Sequence, residues 1–120
     1  MKMKKGTFAI YGIFNGEIKI ESVNGYILDY GCFRFGIRKA GMQWSITDIS
    51  TGMLIGLYAD RKKDIIPLLE TRTEFLDTLK RRLDNPDERI LTAQEKNTRI
   101  LYTIKIKQGG SEMIRLLIPL

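Results

Sequence analysis

The sequence predicts an α+β fold made of an antiparallel β-meander, one long amphipathic helix, a short helix and a C-terminal β-hairpin. Apolar and polar residues alternate from residue 7 to residue 58, as is typical of half-buried strands. Apolar residues then recur at three- and four-residue steps, which indicates a helix, and alternation returns after Asn97. A length of 120 residues with 43% apolar composition fits a single domain over residues 1–120.

Turn dipeptides divide the first half of the chain into strands. Asn15-Gly16 predicts a two-residue hairpin turn, because asparagine and glycine tolerate the positive φ angles of a type I′ turn. Asn24-Gly25 repeats this chemistry and predicts a second reversal, with Gly31 as a bend or bulge in the segment that follows. Two more turns are predicted, at Ala40-Gly41 and at residues 50–52.

The long helix is predicted to begin at Asp64 as its N-cap and to end at Asn85-Pro86. The same proline is expected at the first position of the second, shorter helix. The apolar stripe of the long helix is expected to pack on the inner face of the sheet. The predicted core consists of Leu68, Leu69, Leu76, Leu79, Leu83, Ile18, Ile20, Phe33, Phe35 and Trp44.

The C-terminal hairpin is predicted from alternation over residues 100–107, a flexible turn at 108–111 and a return strand at 113–118. The return strand is apolar on both faces, so it requires cover on both sides or burial in the middle of a sheet. A second copy of the chain is a natural source of that cover, and we therefore expect a homodimer.

The residue types exclude much of the common catalytic chemistry. The chain has no histidine and one cysteine, Cys32, which is expected to be an inert, partly buried thiol. One cysteine and no histidine are too few for the Cys/His ligand set of a usual zinc site. The spacing of the glycines matches no phosphate-binding loop. Asp48, Asp60 and Asp64 match no calcium loop and are interpreted as turn and cap residues. We expect a protein without catalytic residues, cofactor or metal, the alternative being an enzyme with a carboxylate or Arg/Lys site.

Basic residues favour an anionic partner. The formal net charge is +6, and the excess lies outside residues 43–84, where acidic and basic side chains balance. Residues 31–39 interleave glycine, aromatic and basic residues as the sheet motif of RNA-recognition domains does. The residue order is offset from that motif, and a hairpin stands where that fold has a helix, so Phe33, Phe35 and Ile37 are interpreted as core. The predicted binding residues are Arg34, Arg38, Lys39, Lys105 and Lys107.

One resemblance concerns residues 44–56 and the basic turn and amphipathic helix that follow. This stretch, with Trp44 and the turn at Thr51-Gly52, resembles the strand–turn–strand–helix segment of small accessory proteins of phages and other mobile elements. The resemblance implies a non-enzymatic binding protein, such as a mobile-element accessory protein or an inhibitor of host defence, acting on a protein or protein–nucleic-acid target. The alternative is a protein that binds nucleic acid directly through a basic sheet face.

The expected location is the cytoplasm. The basic start of the chain is not followed by the apolar run of a signal peptide, and the longest apolar stretches are too short to cross a bilayer. A single cysteine also suits a reducing compartment. We therefore expect no membrane partner.

Overall fold

The computed structural model describes residues 2–14, 17–100 and 113–115. The first half of the chain forms five antiparallel strands, each paired with the next one in the sequence. They are β1 (Lys4–Phe14), β2 (Glu17–Tyr30), β3 (Phe33–Ala40), β4 (Gln43–Asp48) and β5 (Met53–Ala59). Period-two alternation directs one set of side chains to each face of the sheet.

The second strand is continuous, so the reversal predicted at Asn24-Gly25 is wrong. The register between β1 and β2 passes through this dipeptide without a break. An ideal Cβ on Gly25 would lie 2.4 Å from the carbonyl oxygen of Ile37 and 2.9 Å from the ring of Phe8. Glycine is therefore required here by the close approach of two neighbours. The reversal occurs instead at Gly31, which has a φ of 59°.

The sheet curls until the turn after β4 reaches the outer edge of β1. The backbone N–H of Tyr11 donates a 2.8 Å hydrogen bond to the carbonyl of Gly52. The buried Asp48 carboxylate holds this turn by accepting hydrogen bonds from the hydroxyls of Ser50 and Thr51, at 2.7 and 2.8 Å. It also accepts one from the Thr51 backbone N–H at 3.0 Å. These contacts fix the connection between β4 and β5 against β1.

The predicted combination of one long helix and one short helix is wrong. After a 3-10 turn at Lys62–Asp64, the described chain forms three helices of six, twelve and thirteen residues. They are α1 (Ile65–Glu70), α2 (Thr73–Asp84) and α3 (Glu88–Ile100).

The break between α1 and α2 lies at Thr71-Arg72. The Thr71 hydroxyl donates to the carbonyl of Leu68 at 2.8 Å. The backbone N–H groups of Thr71 and Arg72 donate to carbonyls only three residues back, at 3.1 Å, so α1 ends in a tightened turn. Periodicity does not reveal this break, because the seven-residue step from Leu69 to Leu76 keeps both side chains on one face of a continuous helix.

The third helix is longer than predicted and starts differently. The Asp87 carboxylate accepts a 2.9 Å hydrogen bond from the N–H of Ile90, so Asp87 caps α3 and Pro86 precedes the cap. The helix continues to Ile100, where the sequence predicts a strand.

The predicted C-terminal hairpin is only partly within the described residues. Residues 101–107 of its expected first strand and its expected turn, 108–111, lie outside them, as does the turn at Asn15-Gly16. Of the return strand, Met113–Arg115 forms β6, which pairs with the end of β1. The strand order is β5-β4-β3-β2-β1-β6.

The main core lies between one face of the sheet and the three helices. Leu69, Leu76 and Leu79 of the predicted helix stripe are buried in it, and Leu68 and Leu83 lie at its margin. Its other buried members are Ala9, Tyr11, Ile20, Leu28, Phe35, Ile37, Ile46, Met53, Ile55, Ala59, Ile65, Ile90 and Ala93. The side chain of Ile18 lies outside the described part of the structure. A smaller cluster on the opposite face contains Phe8, Ile10 and Val23.

Candidate functional site

Arg34 and Arg38, two of the predicted binding residues, lie on the sheet face opposite the helices. They alternate along β3 with Phe35 and Ile37, which are fully buried in the main core, so the interpretation of these apolar residues as core is confirmed. Arg34 forms a well-exposed ion pair with Asp29 at 3.6 Å, and Arg38 is half-buried. This face also carries the smaller apolar cluster, so it is not uniformly solvated.

Lys39 lies on the other face of β3, away from the two arginines. Its cross-strand partner is Trp44 of β4, which packs at the margin of the main core on the helix-bearing face. Lys105 and Lys107 lie outside the described residues. Among the predicted binding residues that are described, the structure separates Lys39 from the arginine pair.

Two aromatic side chains meet on the helix-bearing face beside Lys39. Tyr26 extends from β2 and Trp44 from β4, with ring centroids 6.1 Å apart and ring planes inclined by 53°. Both side chains are half-buried and pack against the main core. The core therefore holds one side of each residue while the remainder is accessible.

Three lysines surround these rings. The Nζ atom of Lys62, in the turn before α1, lies 3.9 Å from the centroid of the Tyr26 ring, which is a cation–π contact. Lys5 is the cross-strand partner of Tyr26, and Lys39 is that of Trp44. Cross-strand partners share a face, with Cβ atoms about 5 Å apart. We call Lys5, Tyr26, Lys39, Trp44 and Lys62 the Tyr26–Trp44 surface.

Within the described residues, no carboxylate pairs with the lysines of the Tyr26–Trp44 surface. The ion pairs found there join Lys19 to Glu17, Arg34 to Asp29, Arg61 to Asp64 and Lys80 to Asp84. Lys5 and Lys39 are exposed, and Lys62 is half-buried under its contact with Tyr26. Three positive charges in one small area attract anions, and the net charge of the chain adds to this effect.

A depression of about 500 Å³ adjoins Tyr26. Its lining residues are Lys5, Gly6, Thr7, Asn24, Gly25 and Tyr26. The depression lies at the point where β2 stops pairing with β3. This point is Tyr26, beyond which β2 continues to pair with β1 alone. Thr7 and Asn24 are exposed cross-strand partners here, so a hydroxyl and an amide are available beside the ring.

The sequence predicts Lys39 as a binding residue but not the other members of this surface. A usable signal was present in β2, where Ser22 and Asn24 are exposed on a face that is otherwise apolar. Polar residues at alternate positions of such a face mark an area that no helix covers. The turn predicted at Asn24-Gly25 concealed this signal, because it placed Tyr26 in a different strand with different partners.

The three aspartates considered as metal ligands each have a protein partner. Asp48 holds the turn before β5, as its interpretation as a turn residue predicts. Asp60 accepts a 3.3 Å hydrogen bond from Gln43. Asp64 stands at the start of α1 without a capping hydrogen bond and pairs instead with Arg61 at 2.9 Å. Across residues 2–14, 17–100 and 113–115, no three potential metal ligands come together.

The single thiol is placed differently from the expectation. Cys32 is exposed, whereas the sequence predicts a partly buried cysteine. The physical reason is the reversal after β2, because Gly31 and Cys32 form the turn and project beyond the paired strands.

Comparisons with family models, with curated proteins and with solved structures find no match to this chain. The resemblance to accessory proteins of mobile elements therefore stays a prediction. In the part of the chain that the structure describes, no helix is both long enough and apolar enough to span a membrane.

Proposed function

We propose that this is a non-enzymatic binding protein that docks on an anionic region of its partner through the Tyr26–Trp44 surface. One observation carries the proposal. Lys62 lies over the Tyr26 ring, and Lys5 and Lys39 are the cross-strand partners of Tyr26 and Trp44, two neighbouring rings that are only partly buried. None of these three lysines has an ion pair among the described residues.

The placement of charge supports docking. Exposed charges contribute little to folding, and placing like charges together is slightly unfavourable, so stability does not account for the cluster. An anion bound between the lysines would be attracted by all three charges at once. Complementary charge of this kind raises the rate of association and selects among partners.

The aromatic pair supports the same role. Tryptophan and tyrosine provide large contact areas with few rotatable bonds, and they are enriched among the residues that dominate binding energy. Because Tyr26 and Trp44 pack against the core, their positions are set before a partner arrives. Such preorganisation lowers the entropic cost of binding.

A docking role fits these residue types better than the enzyme alternative. The surface offers ammonium groups and ring faces, and the adjoining depression adds a hydroxyl and an amide. Acid–base or covalent catalysis would require a positioned base or an activated nucleophile there. The buried carboxylate of Asp48 is engaged by Ser50 and Thr51 in a structural turn.

The proposal includes the finer expectations drawn from the sequence. They are a role as a mobile-element accessory protein or defence inhibitor, a protein or protein–nucleic-acid target, a cytoplasmic location and a homodimer. The first two rest on the resemblance of residues 44–56, the location on composition, and the homodimer on the apolar C-terminal segment. The docking surface does not depend on any of them.

The test compares two matched charge reversals. Lys5→Glu/Lys39→Glu alters the Tyr26–Trp44 surface, and Arg34→Glu/Arg38→Glu alters the opposite face of the sheet. Each pair lowers the formal net charge from +6 to +2, since two reversals remove two units each. The probes are oligothymidylate and polyglutamate, and Trp44 fluorescence reports binding because it is the only tryptophan in the chain.

We expect at least one probe to change the fluorescence of Trp44. The lysine reversals should weaken that binding by about tenfold or more, since each replaces attraction with repulsion at the contact, whereas the arginine reversals should change it less than about threefold. Equal losses in both variants would show that only net charge matters. The docking proposal would then fail, as it would if neither probe bound.

A further inference from the structure

We infer that the anionic partner of the Tyr26–Trp44 surface is a single-stranded nucleic acid, whose bases stack on the aromatic rings while its phosphates contact the lysines. This inference rests on the proposed function and names the chemistry of the partner. It is carried by two aromatic rings that each have a lysine as cross-strand partner, over the four neighbouring strands β1 to β4, and by the depression beside Tyr26, whose lining includes Thr7 and Asn24.

The rings are arranged as stacking platforms. Because their planes are inclined by 53° with centroids 6.1 Å apart, Tyr26 and Trp44 do not cover each other face to face. The Lys62 ammonium lies over one face of Tyr26, 3.9 Å from the ring centroid, so a base that stacks on this ring takes the other face or displaces Lys62. Sheet-borne aromatic rings of this kind stack unpaired bases, and such stacking tolerates any base.

The lysines lie where phosphates would flank stacked bases. Each ring has a lysine as its cross-strand partner, Lys5 for Tyr26 and Lys39 for Trp44. The two pairs are offset along the sheet, because the partner of Tyr26 on β3 is Ile37, and within each pair ring and lysine lie on neighbouring strands about 5 Å apart. A polymer that carries both flat bases and phosphates can use the ring and the charge of each pair, whereas an acidic polypeptide would use the charges and leave the rings without a specific role.

The depression beside Tyr26 supplies groups that hydrogen-bond base edges. The Thr7 hydroxyl and the Asn24 amide both donate and accept, and both are exposed. In a duplex these base edges are largely paired and the ring faces are stacked, so only an unpaired strand offers both to the protein. The observations therefore favour a single strand over a duplex.

The experiment measures affinities of the full chain for three probes by calorimetry at several salt concentrations. The probes are an oligothymidylate of about 12 nucleotides, within the site sizes of single-strand binding modules, an abasic deoxyribose-phosphate oligomer of equal length, and polyglutamate of equal charge. The variants are Tyr26→Leu, Trp44→Leu and the conservative Tyr26→Phe, which keeps the ring. Circular dichroism establishes that each variant is folded.

Oligothymidylate should bind about 5- to 150-fold more tightly than the abasic oligomer, which is the range that stacking of one base supplies. Tyr26→Leu and Trp44→Leu should each reduce this preference, since each removes one of the two rings, and Tyr26→Phe should retain it. The logarithm of the affinity should fall against the logarithm of the salt concentration with a slope of about −2, as three phosphate contacts on a single strand predict.

Two results would overturn the inference while leaving the docking proposal intact. Equal affinity for oligothymidylate and the abasic oligomer would show that bases are not recognised. Tighter binding of polyglutamate would identify an acidic protein as the partner. The affinities of the wild-type protein for the three probes can be compared without any variant. This comparison therefore tests whether bases are recognised even if Trp44→Leu does not fold.

Discussion

Replacing Leu79 with alanine is expected to lower the free energy of unfolding by about 2–5 kcal/mol. Leu79 is completely buried in α2 and packs in the main core with Leu69 of α1 and Ile90 of α3. Truncation removes apolar contacts and leaves a cavity. The neighbouring side chains are held in place by the sheet, so they can fill this cavity only in part. Urea unfolding monitored by circular dichroism measures the effect.

Leu91→Ala is the matched control, because it makes the same chemical change on α3 at a side chain that is 52% exposed. Its effect should stay within about 0.5 kcal/mol, as is usual for surface substitutions. A loss below 1 kcal/mol for Leu79→Ala, or an equal loss for both variants, would contradict the packing of α2 on the sheet.

Gly25→Ala is expected to destabilise the protein by about 3 kcal/mol, at the upper end of the range for overpacking. The added Cβ would meet the carbonyl oxygen of Ile37 at 2.4 Å. This obstacle is backbone, so a rotamer change cannot relieve it, and β2 would have to move away from β3. The decrease in melting temperature relative to wild type reports the cost.

Gly6→Ala provides the control for this prediction. Gly6 is the cross-strand partner of Gly25, but among the described residues the neighbours of its added Cβ are side-chain carbons of Ile27, the nearer at 2.9 Å. A rotamer change of the half-buried Ile27 relieves that contact, so the cost should be below about 1 kcal/mol. If Gly25→Ala were no more harmful than Gly6→Ala, Asn24-Gly25 would not lie in a continuous paired strand.

Local patterns predicted the strands but not all of their connections. Alternation is a direct consequence of strand geometry, and the turns predicted at Ala40-Gly41 and at residues 50–52 separate β3, β4 and β5 as observed. The Asn24-Gly25 dipeptide predicts a turn that is not there. Glycine occurs both in tight turns and where two segments pack closely, and only the neighbours in the folded structure distinguish the two cases. The break at Thr71-Arg72 was likewise hidden, since the apolar period continues across it.

The candidate site was less predictable, because it depends on contacts between distant segments. Lys39 was found from the basic composition of β3. Its association with Tyr26 required the correct course of β2, and the contact of Lys62 with that ring requires the packing of the turn before α1. Neither relation has a local sequence signature. Burial of Phe35 and Ile37 was predictable, since it follows from alternation alone.

The most direct test of the account is to map the docking surface on the folded protein. Amide NMR spectra would be recorded during titration with oligothymidylate or polyglutamate, whichever binds more tightly. We expect the largest shift changes at residues 5–7 and 24–26 and at Lys39, Trp44 and Lys62, with little change at Arg34 or along α3. Changes centred instead on Arg34 and Arg38, or spread evenly over all basic residues, would show that the partner does not dock on the Tyr26–Trp44 surface.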